Sequence, residues 1–168
     1  LILGFGDRIL EVIRELIEAN ESEEDAAIVI LAEDDKEEMD NTIRDNITNF
    51  ATTRVITRSG VVTNINNLKK VMAKDAKSII IMNSAASWKT EHEKNLADAL
   101  VLKSIMSIIA VCDGNEHPSI VCEIHSDRDR DLAENISTGN VKALNEVSVL
   151  SRMIAQLSLS RNGLSVVY

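Results

Sequence analysis

Leu1-Ile2-Leu3-Gly4-Phe5-Gly6-Asp7-Arg8-Ile9 sets an apolar run against a glycine turn and then opens a helical period. Ile9, Ile13, Leu16 and Ile17 continue that period on one face, which predicts a helix over 7–19. The same unit recurs down the chain. Ala27–Ala32 is a continuous apolar strand before a charged helix over 35–48, and Arg54–Thr57 is a shorter strand before a helix over 64–73. Ser78–Met82 is wholly apolar, and a long helix over 88–111 follows it. Ser119–His125 leads into a helix over 129–136, and Val141–Leu144 into a last helix over 146–159. This alternation predicts an α/β fold whose parallel sheet is covered on both faces. Leu1–Leu3, Ala27–Leu31 and Ser78–Met82 are apolar throughout, as strands buried on both faces must be. Arg54–Thr57 and Val141–Leu144 are short and half polar, as edge strands tend to be. Third and sixth strands at the edges give a Rossmann-like doubly wound sheet in the order 3-2-1-4-5-6.

The 168 residues are 45% apolar, enough for one self-sufficient core, and 18 Lys and Arg against 27 Asp and Glu leave a net charge of -9. That balance excludes a general nucleic-acid binder, whose basic footprint is missing. Runs such as Ala26–Ala32 are far too short to cross a bilayer, so no direct membrane insertion by these residues is expected. No signal peptide is visible. Cys112 and Cys122 lack CxxC spacing and point to a reducing compartment. The chain opens inside a strand and stops on the apolar run Leu164–Tyr168, so a piece of a longer chain is expected.

The first turn lies where a dinucleotide fingerprint belongs. Gly4 permits the tight turn and Gly6 lets a pyrophosphate approach the backbone, but the third small position is filled by Ile9. Glu33 ends the second strand, where a carboxylate accepts hydrogen bonds from an adenosine ribose. Asp7 stands at the helix start, where it can cap the helix and sit on the dipole end that a phosphate needs; Arg8 partly offsets it. Two readings stay open: a scaffold that lost its dinucleotide, and one that still binds NAD(H) or an adenine nucleotide.

Acidic clusters offer a second ligand class, Ca2+, with Glu33, Asp34, Asp127 and Asp129 as the candidate oxygens. Neither cluster has the EF-hand pattern. Asp34 or Asp35 reads more simply as a helix cap, and Arg128 and Arg130 make Asp127–Asp131 a self-paired, solvated segment. His92, His117 and His125 are scattered, although His125 ends the fifth strand. Ser59 and Ser84 also fall at strand ends, as hydrogen-bond donors without a nearby base. No GxSxG, HExxH or GxxxxGK[ST] occurs, so no enzyme is expected.

Two helices are apolar beyond one face. From Leu100 the long helix reads Leu-Val-Leu-Lys-Ser-Ile-Met-Ser-Ile-Ile-Ala-Val, and the last carries Val147, Val149, Leu150, Met153, Ile154 and Leu157. A second partner surface or an insertion packed over the long helix accounts for the excess.

Leu31-Ala32-Glu33-Asp34-Asp35-Lys36-Glu37-Glu38-Met39-Asp40, with Gly4–Arg8 before it, resembles the cytoplasmic domain of the Castor/Pollux-type ion channels. Val55-Ile56-Thr57-Arg58-Ser59-Gly60, Asn67-Leu68-Lys69-Lys70-Val71 and Ala76-Lys77-Ser78-Ile79-Ile80-Ile81 are similar to theirs too. Phe5 stands where the plant members have Trp, and Trp88 lies elsewhere. The resemblance covers 1–81 with good motifs and continues more loosely to about Leu159. The wider family is the regulator of potassium conductance, or RCK, domain.

What the resemblance implies is a ligand-sensing lobe at the cytoplasmic face of a potassium or other cation channel. Such lobes pair as homo-oligomers, build a gating ring and pull on the pore domain of the same parent chain. It also implies that 1–144 is the lobe, and that 145–168 holds the crossover, dimer-forming helix and the start of a following region. The crevice residues expected are Gly4, Gly6, Asp7, Arg8, Glu33, Asp34, Arg58, Ser59 and Ser84. The alternatives are a nucleotide-binding lobe of an NAD-dependent or sugar-nucleotide enzyme, and an assembly module with an empty crevice.

Overall fold

A computed structural model describes residues 1–85, 89–112, 117–136 and 139–159. Its six parallel strands run β3-β2-β1-β4-β5-β6, the order that the placing of apolar and polar strands predicts. In chain order the elements are β1 (Ile2–Leu3), α1 (Ile9–Ala19), β2 (Ala27–Ala32), α2 (Lys36–Asn46), β3 (Arg54–Ser59), α3 (Ile65–Lys70), β4 (Ser78–Ile81), α4 (Glu91–Val111), β5 (Ser119–Glu123), α5 (Asp127–Ile136), β6 (Val141–Leu144) and α6 (Glu146–Leu159).

Differences from the sequence expectation are local and have causes. β3 runs on to Ser59 because it stays in register with β2 as far as Ala32. α1 begins at Ile9 rather than Asp7, and its N-cap residue, Arg8, makes no side-chain cap hydrogen bond. α3 stops at Lys70; Met72 turns the chain left-handed at φ 53, and the 3-10 turn Ala73–Asp75 follows. Trp88, the expected first residue of the long helix, and the run Leu164–Tyr168 lie outside the described residues. α4 opens behind Thr90, which forms a reciprocal capping box with Glu93.

Two apolar clusters explain why the central strands are apolar apart from their ends, where Ser78 opens β4 and Ser119 and Glu123 bound β5. Ile2, Ile28 and Ile30 pack under α1 and α2 against Ile9, Ile13, Ile17 and Ile43. Leu3, Leu31, Ile79 and Ile120 belong to the other cluster, with Leu68 of α3, Val101, Ile105 and Ile108 of α4, and Ala133 of α5. Successive side chains leave opposite faces of a strand, so Ile2 and Leu3 fall into different clusters. Each large side chain removed from water in this way stabilises the fold by about 1.5–3 kcal/mol. Arg54, Arg58 and Ser59 on β3 and Lys142 on β6 are exposed, as the two edges require. Among the described residues no helix is long and apolar enough to cross a membrane.

The first turn is fixed by backbone sterics. Gly4 has φ +96, and a Cβ there would lie 3.2 Å from the Met82 carbonyl oxygen. Gly6 has no such conformation, and its Cβ would sit at an ordinary 3.5 Å from the Asn83 carbonyl oxygen. Gly4→Ala is therefore expected to cost about 1–3 kcal/mol in urea unfolding, and Gly6→Ala less than about 1 kcal/mol.

Cys122 of β5 is 2% exposed. Burial, then the nearby Glu134 and Asp98 carboxylates, push its thiol up to about 12. The unfolded chain loses that proton first as pH rises, so the folded state loses stability from about pH 9 upward, by at most about 1.4 kcal/mol per pH unit. Urea midpoints compared for the chain and its Cys122→Ala variant between pH 8 and 11 should show a steeper decline where the thiol is present.

Candidate functional site

The carboxyl ends of the central strands open on a crevice of about 580 Å³, beside the point where the strand order reverses between β1 and β4. Seven of the residues singled out in the sequence line it: Gly4, Gly6, Asp7 and Arg8 from the first turn, Glu33 and Asp34 beyond β2, and Ser84 beyond β4. Arg58 and Ser59 are not among its lining residues. They end the exposed edge strand, and the Arg58 guanidinium donates to the Thr57 carbonyl at 2.9 Å.

Asp127 borders a separate hollow of about 350 Å³ with Lys94, His125 and Asn145. It pairs with Arg130 at 3.0 Å, and Asp131 lies 3.6 Å from the same guanidinium, so this segment is self-paired. Asp35 is the cap of α2, its Oδ1 accepting from the Glu37 and Glu38 N–H groups at 2.8 and 3.3 Å.

Arg8 reaches across the crevice mouth. Its guanidinium pairs with Glu123 at the end of β5 and, at 3.1 Å, with Glu146 in the first turn of α6. Burial favours the neutral form, but the two carboxylates outweigh it and hold the guanidinium above its ordinary value. Neither glutamate stood out in the sequence, because Glu123 ends an apolar strand and Glu146 reads as a helix-start acid.

A second group escaped the sequence altogether. Asp98 of α4 is fully buried. Its Oδ1 accepts from Asn83 Nδ2 at 2.8 Å, both oxygens lie 3.1 Å from the His125 N–H, and Oδ2 accepts from the Ser126 N–H at 2.8 Å. His125 Nδ1 is 3.1 Å from Oδ1. Asn83 also donates to the Glu123 carbonyl at 3.3 Å and accepts from the Ala85 N–H at 2.9 Å. Asn145 donates to the His125 carbonyl and accepts from the Ser148 N–H at 3.0 Å, which carries the network into α6. The available signal was an acid on the face that Val101 and Ile105 bury, three and seven residues on.

The lining decides which ligands fit. Asp7, Glu33, Asp34, Glu123 and Glu146 set five carboxylates against the single guanidinium of Arg8, which two of them already hold. Ile9, at the third fingerprint position, is 2% exposed in the α1 cluster. A polyphosphate therefore meets net negative charge with no uncommitted cation, and these residues do not fit NAD(H) or an adenine nucleotide. Among the described residues no three His, Cys, Asp or Glu groups are gathered to hold a metal ion.

Comparison with known proteins gives a consistent picture. The family model for the calcium-activated potassium channel slowpoke-like RCK domain matches residues 1–124. The chain is 29% identical over 161 residues to the probable ion channel POLLUX of Arabidopsis thaliana, covering 95% of this chain and 18% of that protein. It is 31% identical over 157 residues to the ion channel CASTOR of Lotus japonicus, covering 93% and 18%. The calcium-gated potassium channel TvoK of Thermoplasma volcanium is 29% identical over 154 residues, covering 90% and 38%. The chain thus spans less than a fifth of the length of the plant relatives.

Asp98→Asn replaces an acceptor with a donor among N–H groups that have nowhere else to turn. It is expected to destabilise the chain by about 2–4 kcal/mol in urea unfolding, and Asn83→Ala by about 1–2 kcal/mol.

Proposed function

The chain belongs to the calcium-activated potassium channel slowpoke-like RCK domain family, and from that premise we propose that it is a cytosolic ligand-sensing lobe of a potassium or other cation channel. Occupancy of the crevice sets the position of α6, and α6 passes that position to neighbouring lobes and to the pore domain of the same longer polypeptide. The observation that carries this reading is Arg8. One side chain, rooted in the ligand turn, pairs with Glu123 on the sheet and with Glu146 on α6.

The packing of α6 supports the reading. None of its residues is buried. Val147, Leu150, Ile154 and Leu157 form a stripe at helical spacing and are 47–66% exposed. A continuous apolar stripe of this kind favours burial against a second copy. The contacts of α6 with its own lobe are concentrated at its start, through Asn145 and Glu146. Leu96 and Met106 of α4 are also exposed, which leaves a further surface for ring assembly.

Mechanistically this is a population shift. A ligand that interacts differently with the two positions of α6 biases one of them, and typical couplings of about 1–3 kcal/mol change an equilibrium by roughly 5–150-fold.

In single-channel recordings of the full-length protein, Arg8→Gln is expected to change the closed-to-open ratio at least about fivefold. The surface variant Asp127→Asn serves as the unaffected control. An unchanged ratio in Arg8→Gln would favour an assembly module whose crevice plays no part in gating.

A further inference from the structure

We propose that the crevice ligand is an aliphatic polyamine: a phosphate-free organic cation whose ammonium groups are separated by methylene segments. The proposal rests on the ligand-sensing reading and names the chemistry of that same site. The site is the crevice itself, whose volume of about 580 Å³ suits a small organic molecule. Its charges and its walls decide which one.

The charges come from separate parts of the fold. Asp7 lies in the first turn, Glu33 and Asp34 beyond β2, Glu123 at the end of β5 and Glu146 on α6. With Arg8 counted, the lining carries four net negative charges. An anionic ligand is repelled, and a neutral one leaves that field uncompensated. Among the described residues a compact metal ion finds no three carboxylates gathered in one place. A cation with several spaced charges meets carboxylates on different elements at once.

The walls select an apolar body between those charges. Val62 beyond β3 and Leu100 of α4 line the crevice with apolar surface still open to solvent, while Leu3, Ile81, Ala97 and Val101 of the same lining are already buried. Leu100 is 47% exposed, apolar area that a methylene chain would cover. An ammonium group placed against Glu146 would also compete with Arg8 for that carboxylate, which couples occupancy to the start of α6.

The test is thermal unfolding and titration calorimetry of the 168-residue chain, at constant ionic strength, with five probes: spermidine, hexaamminecobalt(III), Ca2+, AMP and NAD+. Spermidine at a hundredfold its dissociation constant is expected to raise the midpoint by about 5–10 °C. Hexaamminecobalt(III), with the same charge and no methylene chain, should bind at least about tenfold more weakly. Glu33→Gln/Asp34→Asn, both exposed positions, should weaken spermidine at least about tenfold. Glu21→Gln/Glu24→Gln, beyond the end of α1 at the far end of the sheet, should leave its affinity unchanged. Circular dichroism checks that both variants fold. Equal weakening in the two variants would overturn the proposal, because it would mean diffuse attraction to an acidic chain. So would binding of hexaamminecobalt(III) or Ca2+ as tight as that of spermidine. A midpoint raised by AMP or NAD+ and not by spermidine would overturn the ligand class and leave the sensing reading standing. A midpoint moved by none of the five would overturn both.

Discussion

A carboxylate buried without compensation costs several kcal/mol, and Asp98 escapes that cost only where it lies. Its N–H donors come from beyond β4 (Asn83) and from the loop after β5 (His125 and Ser126), while the charge itself sits on α4. Moving any of these elements strands an ionised group in the core, so their relative positions are over-determined. Ala97 and Val101, which flank Asp98 in sequence, form part of the crevice wall. The wall that a ligand meets is thus held by the same network that ties the ends of β4 and β5.

The contrast with α6 separates a tightly packed part of the lobe from a lightly held one. α6 buries no residue, and its start is held by an Asn145 hydrogen bond and by the Arg8–Glu146 pair. The Arg8 side chain is 43% exposed and that of Glu146 32%. Partly solvated pairs of this kind contribute of the order of 1 kcal/mol or less. A tie that weak suits a switch, because a ligand of modest affinity can exchange with it. The Asp98 network does not exchange in that way, so on the proposed reading binding at the crevice acts on α6 rather than on the sheet.

The fold was legible because its physics is local and repetitive. The all-apolar runs at β1, β2 and β4 follow directly from cover on both faces, and half-polar Arg54–Ser59 and Val141–Leu144 from the two edges. The turn and Asp34 were legible because the topology sends them to the crevice. Arg58 and Ser59 also sit at a strand's carboxyl end, but on the edge strand, and the crevice lies nearer the sheet centre. Asp98, Glu123 and Glu146 were not legible as a group. Each is a single acid in an ordinary element, and what distinguishes them is contact with residues 15 to 138 positions away.

The first turn shows how a motif persists for reasons other than a ligand. Gly4 is required because its left-handed backbone passes under the Met82 carbonyl oxygen, a constraint that holds with the crevice empty or filled. The third fingerprint position carries no such constraint, and Ile9 there packs with Ile13 and Ile17 over the sheet. Apolar packing has taken the place of the close helix–strand approach that a small residue allows. The turn's one cation is committed to Glu123 and Glu146, which links the turn to α6. Each residue that departs from the dinucleotide pattern therefore has a structural task, and together those tasks convert a phosphate-binding turn into the anchor of an acidic crevice.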